Sequence, residues 1–107
     1  MKRGDLVPVT LPGAYGKLRP ALVIQSDFFD EHPSVTVLPV TSKLRQAPLV
    51  RLALEPTPDN GLKKSSQIMI DKLHTLPRDK VGSVFGQIDN TTLVAINRHL
   101  ALFLGIA

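Results

Sequence analysis

The amino-acid sequence predicts a mainly β fold: a small, twisted antiparallel barrel with one C-terminal helix. Three observations predict it. Prolines, glycines and polar clusters cut most of the chain into short apolar segments, the sequence form of a sheet with short connections. These segments are rich in Val, Ile and Leu, as half-buried strands are. Only the C-terminal stretch, with Leu93, Ile96, Leu100 and Phe103, repeats its apolar residues at helical spacing.

In chain order, strands are expected at residues 5–9, 21–25, 35–40, 49–54, 67–71 and 81–84. Pro12-Gly13-Ala14-Tyr15-Gly16 carries turn chemistry and forms the first loop. Residues 27–31 fit one helical turn, capped by Ser26 or Asp27 and ended by Pro33. Pro39 cannot donate to a ladder, which places an edge or a bulge within its strand. Pro56-Thr57-Pro58-Asp59-Asn60-Gly61 reads as an exposed, mobile connection. Asp89 or Asn90 caps the final helix, and Gly105 terminates it. Strand order does not follow from these patterns.

At 107 residues the chain is one domain spanning 1–107. Its 43% hydrophobic and 21% charged residues describe a globular protein and exclude a disordered one. The most apolar C-terminal stretch is interrupted by Asn97, Arg98 and His99, so no membrane span is expected. The start, Met1-Lys2-Arg3-Gly4-Asp5, has no apolar signal core before Pro8 and reads as cytoplasmic. Zero cysteines exclude disulfides, thiolate catalysis and cysteine-ligated zinc. His32, His74 and His99 show no metal spacing, so neither a metal nor another cofactor is expected. A formal charge of +4 favours a polyanionic partner.

Two polar motifs at the edges of apolar runs carry the chemistry. Lys17-Leu18-Arg19-Pro20 precedes Ala21-Leu22-Val23-Ile24, and Pro39-Val40-Thr41-Ser42 follows Val35-Thr36-Val37-Leu38. On neighbouring strands they gather a guanidinium, two hydroxyls and an ammonium, a set suited to phosphate. Pro20 pushes Arg19 toward extended backbone, and its planar fork matches two phosphate oxygens. The plainer alternative is a strand-end arginine paired with a surface carboxylate. Thr41 suits positioning of a phosphate or relay of a proton, or ordinary turn formation. By alternation Thr41 and Ser42 point to opposite faces unless the strand ends there.

Gln67, Met69 and Asp71 share one expected strand face, with Ile68 and Ile70 left for the core. Asp71 is then a proton acceptor, a holder of Arg19, or a solvated strand end. His74 reads as a surface or loop histidine, and His99 as a residue that packs or caps on the helix rather than catalyses. Only five aromatic residues are present, too few for a base-stacking sheet, although Tyr15 in the first loop suits a base or a phosphate.

Together, Arg3-Gly4-Asp5, Arg19 to Ile24, Leu38-Pro39-Val40-Thr41-Ser42 and the run from Ile70 to Leu76 resemble the MazF/PemK family of toxin ribonucleases, in order and spacing over nearly the whole chain. The resemblance implies an SH3-like barrel, a homodimer, a cognate antitoxin and DNA binding as the toxin-antitoxin complex. It also implies metal-independent cleavage of single-stranded RNA, of the mRNA interferase type. In that chemistry the 2′-hydroxyl attacks its own phosphodiester, leaving a 2′,3′-cyclic phosphate and a 5′-hydroxyl. Arg19 matches the family's arginine at the scissile phosphate, Thr41 its catalytic threonine, and Asp71 an acidic position that some members use. Tyr15, Lys17, Ser42, Lys43, Gln67 and Lys72 are the expected RNA contacts.

The chain also departs from the family. Some members carry Glu, or His and Glu, in the loop before the Arg-Pro pair, where this chain has Gly13-Ala14-Tyr15-Gly16-Lys17-Leu18. Some carry an arginine at the position of Met69. The resemblance therefore assigns no general base. Two other readings share the fold: a CcdB-like poison of DNA gyrase, disfavoured because the chain ends Leu104-Gly105-Ile106-Ala107 without a tryptophan, and a catalytically weak barrel that captures an antitoxin.

Overall fold

The computed structural model describes residues 1–13 and 17–106. Seven strands and one long helix form among them: β1 (Asp5–Thr10), β2 (Leu18–Val23), β3 (Ser34–Thr41), β4 (Arg51–Leu54), β5 (Ser66–Met69), β6 (His74–Pro77), β7 (Gly86–Gln87) and α1 (Asn90–Leu104). Short 3-10 turns occupy Asp27–Phe29 and Arg78–Lys80. Ser26 caps the first, its Oγ accepting from the Phe28 N–H at 3.2 Å.

Every pairing is antiparallel, in the order β4-β5-β3-β2-β1-β7, with β6 also on β3. The long β3 organises the sheet. One of its edges carries β2; the other carries β6 against residues 34–37 and then β5 against Val40 and Thr41. Pro39 falls in the interval between β6 and β5, where β3 is locally an edge and a residue without an N–H fits. After β6 the chain returns to β1: Val81 bridges Val9, the Gly82 N–H donates to Pro8 O at 2.8 Å, and the Phe85 N–H donates to Leu6 O at 2.9 Å. This return curls the sheet.

Strand alternation then sorts the core by size. Val7, Val9, Ala21, Val23, Val35, Val37 and Leu76 form a cluster of mostly small residues within the curl. Leu6, Leu22, Leu38, Val40, Ile68 and Ile70 occupy the opposite side with Ile96 and Leu100 of α1. Full burial of a Leu or Ile is worth roughly 1.5–3 kcal/mol, so this larger cluster fixes α1 on the sheet. Helix α1 ends as expected at Gly105, φ 74°, with the Ile106 N–H bonded to Ala101 O at 2.9 Å. No helix among the described residues is long and apolar enough to cross a membrane.

The structure corrects three local expectations and adds to a fourth. Residues 81–84 do not form a strand: Val81 makes a single bridge to Val9, Gly82 passes so close to Pro8 that a Cβ there would meet its ring, and the next strand, β7, begins only at Gly86. The chain from 74 to 77 is a strand rather than a loop, held by four pairs with β3 although only Leu76 is buried. The strand before it stops at Met69, where a turn from Met69 to Lys72 begins, so Asp71 lies in a turn. The 56–61 connection is exposed as expected except at Asn60, which is buried and gathers the loop by hydrogen bonds. Its Oδ1 accepts from the Thr57 and Leu62 N–H groups, both at 3.0 Å, and its Nδ2 donates to Glu55 O at 2.8 Å.

Candidate active site

The two polar motifs meet. Ala21 of β2 lies opposite Pro39 of β3, and the same register carried two residues further brings Arg19 level with Thr41, on the same face. Beside them opens a cleft of about 420 Å³, lined by Arg19, Thr41, Ser42 and Lys43 from β2, β3 and the turn after β3, and by Lys63, Lys64, Ser66 and Met69 from the β4–β5 connection and β5. That volume suits a small polar ligand such as a nucleotide. The wider groove of about 560 Å³ elsewhere on the surface carries Glu55, Asp59 and Asp89, the wrong sign for a phosphate.

Each group is presented for a local reason. Arg19 is exposed at the start of β2 and, among the described residues, has no carboxylate partner; the single ion pair found there joins Lys72 and Asp71. The surface-pair alternative for Arg19 therefore finds no support in the structure. Thr41 is the last residue of β3, and its Oγ1 accepts from the Lys43 N–H at 3.1 Å. This tight turn ends the alternation, so Thr41 and Ser42 both line the cleft.

Gln67 sits opposite Thr41 but outside the cleft lining. Its Oε1 accepts from the Arg45 N–H at 3.0 Å and from Arg51 Nη1 at 3.2 Å, while its Nε2 donates to Arg45 O at 2.9 Å. Arg51 Nη1 also donates to Lys43 O at 3.3 Å. Gln67 thus anchors the segment that follows Thr41. Asp71, in the turn after β5, also stands outside the lining; its Oδ2 is 3.9 Å from Lys72 Nζ, and its Oδ1 is buried without a hydrogen-bond partner. Lys17 and Lys72 are exposed and outside it too. Tyr15 lies outside the described residues.

The sequence reading passed over Lys63, Lys64 and Ser66. Lys63-Lys64 was visible as a dibasic pair, but its direction depends on the Asn60-centred loop, which has no periodicity to read. Among the described residues no three His, Asp or Glu side chains converge as metal ligands. No carboxylate or imidazole is among the described residues that line the cleft. The arrangement offers an arginine fork, ammonium groups and hydroxyls, which together bind and polarise a phosphodiester.

Residues 2–104 match the family model described as PemK-like, MazF-like toxin of type II toxin-antitoxin system. The chain belongs to this family. It is 47% identical over 108 residues to a probable endoribonuclease MazF from Mycolicibacterium smegmatis, covering 100% of this chain and 99% of that relative. Among solved structures, an endoribonuclease in complex with its cognate antitoxin from a mycobacterial species superposes with a TM-score of 0.83 at 25% identity, covering 100% of this chain and 97% of the other. The Mycobacterium tuberculosis toxin MazF-mt6 shares the fold, with a TM-score of 0.83 at 21% identity over 96% of this chain and 98% of that one. The mainly β, PemK/MazF-like architecture expected from sequence is the one these relatives share.

Proposed function

We propose that this PemK/MazF-family chain is a toxin endoribonuclease that cuts single-stranded RNA in the cytoplasm without a metal, and that a cognate antitoxin restrains it. The observation that carries the reading is the convergence of Arg19, Thr41, Ser42 and Lys43 in one cleft whose described lining has no carboxylate. The M. smegmatis relative named as an endoribonuclease and the mycobacterial antitoxin complex support it.

In the reaction, O2′ of the substrate ribose attacks the adjacent phosphorus. A P–O2′ bond forms, the P–O5′ bond breaks, O2′ loses a proton and the departing O5′ gains one. The products are a 2′,3′-cyclic phosphate and a 5′-hydroxyl. Arg19 donates both arms of its fork to the non-bridging oxygens as negative charge gathers there, where a preorganised donor is worth about 10²–10³ in rate. Thr41 positions the phosphate or relays a proton, its Oγ1 fixed by the Lys43 N–H. Ser42, Lys43, Lys17 and Lys72 contribute backbone contacts, and Asp71 takes a supporting place in the turn after β5.

Incubation of single-stranded RNA with the purified protein in EDTA tests the proposal. Cleavage that persists with chelator and is lost in Arg19→Ala and in Thr41→Ala is the expected result. Undiminished cleavage by either variant removes that residue from the mechanism.

A further inference from the structure

The cleft draws its lining from two separate parts of the chain, here called its two walls, and the second is the one that sequence patterns did not indicate. It is built by the end of the β4–β5 connection, where Lys63 and Lys64 line the same cavity as Arg19 and Lys43. The connection has a fixed base. Asn60 is 2% exposed and ties Glu55, Thr57 and Leu62 together. Ser66 Oγ donates to Lys64 O at 2.8 Å, and Leu54 pairs with Ser66 across the hairpin. The nearby Glu55 carboxylate is occupied by Ser65 Oγ and lies on the other groove. On this wall Met69 presents an apolar surface, so its positive charge comes from the two lysines.

Four cations therefore border one cavity, and no carboxylate is among its described lining. Alone they repel one another; a polyanion between them relieves that repulsion. We propose that Lys63 and Lys64 are substrate-binding residues that hold RNA phosphates flanking the scissile one, so that a single strand passes between them and the Arg19–Thr41 wall. This rests on the ribonuclease reading above and adds a second set of contacts. Arg19 serves the reacting phosphate, whereas the lysines serve its neighbours and affect KM rather than kcat.

The test is steady-state cleavage of a single-stranded RNA oligonucleotide across a salt series, comparing wild type with Lys63→Ala/Lys64→Ala. Each single-strand phosphate contact contributes about 0.7 to the slope of log affinity against log salt, so losing two contacts lowers its magnitude by about 1.4. The expected result is a KM raised about tenfold or more at low salt, a shallower slope, and kcat retained. The charge-preserving Lys63→Arg/Lys64→Arg restores both, and Lys2→Ala, in a separate pocket beside Asn90 and Leu93 of α1, leaves them unchanged. Both lysines are exposed, so an unchanged melting temperature confirms that the fold is intact.

If wild type cuts RNA and the double alanine variant matches it in KM and salt slope, this inference is overturned while the ribonuclease reading stands. If wild type binds the oligonucleotide without cutting it, anisotropy over the same salt series gives the slope, and the lysine wall stands or falls independently of catalysis. Absence of both binding and cleavage overturns both.

Discussion

Arg19 shows why charge alone does not describe the site. Lysine at this position keeps the positive charge but replaces a planar two-armed donor with a point charge. Arg19→Lys is therefore expected to keep RNA binding and lose much of kcat. Arg19→Ala is expected to lose about 10²–10³ in kcat with stability changed by no more than about 0.5 kcal/mol. Single-turnover cleavage and thermal melts check both. Asp71→Asn, outside the cleft, is expected to cost less than either; a larger loss than in Arg19→Ala contradicts the division of roles proposed here. At this scale Arg19, Thr41, Ser42 and Lys43 were legible because each lies beside a strand end that local sequence marks. Gln67 was legible as a position but not as an anchor, since its bonds to Arg45 and Arg51 join segments far apart in the chain.

At the scale of elements, the lysine wall depends on two close backbone approaches. Gly61 has φ 66°, and a Cβ there meets Phe85 O at 2.8 Å; a Cβ on Gly86 collides with the backbone of Asn60. Gly86→Ala is expected to destabilise the fold by about 1–3 kcal/mol and to displace the 57–61 turn. A lowered melting temperature with faster amide exchange in residues 57–66 checks this, and unaltered exchange contradicts it. The sequence predicted the Val- and Leu-rich strands and α1 because their patterns reflect burial directly. It missed β6 and β7, short strands with one buried residue between them, because pairing to β3 and β1 holds them more than their own composition does. The β4–β5 connection looked open for a related reason: Asn60 and its partners resemble any polar loop until the chain closes on them.

For the whole molecule, the curled sheet puts α1 on one side and the cationic cleft at the end of the central β2–β3 pair where Arg19 and Thr41 lie. Leu102, Phe103, Leu104 and Ile106 at the end of α1, together with Phe28, remain exposed. Light scattering is expected to give a mass of about twice the 11.7 kDa chain, as the homodimer implied by the family resemblance requires; a monomer alone contradicts that part of the account. The central claim is chemical, and mapping RNA ends tests it most directly. Induction of wild type is predicted to generate new 5′-hydroxyl ends, each paired with a 2′,3′-cyclic phosphate upstream, and induction of Arg19→Ala is predicted to generate none above background. Ends bearing 5′-phosphate, or the same 5′-hydroxyl ends with Arg19→Ala, would contradict it.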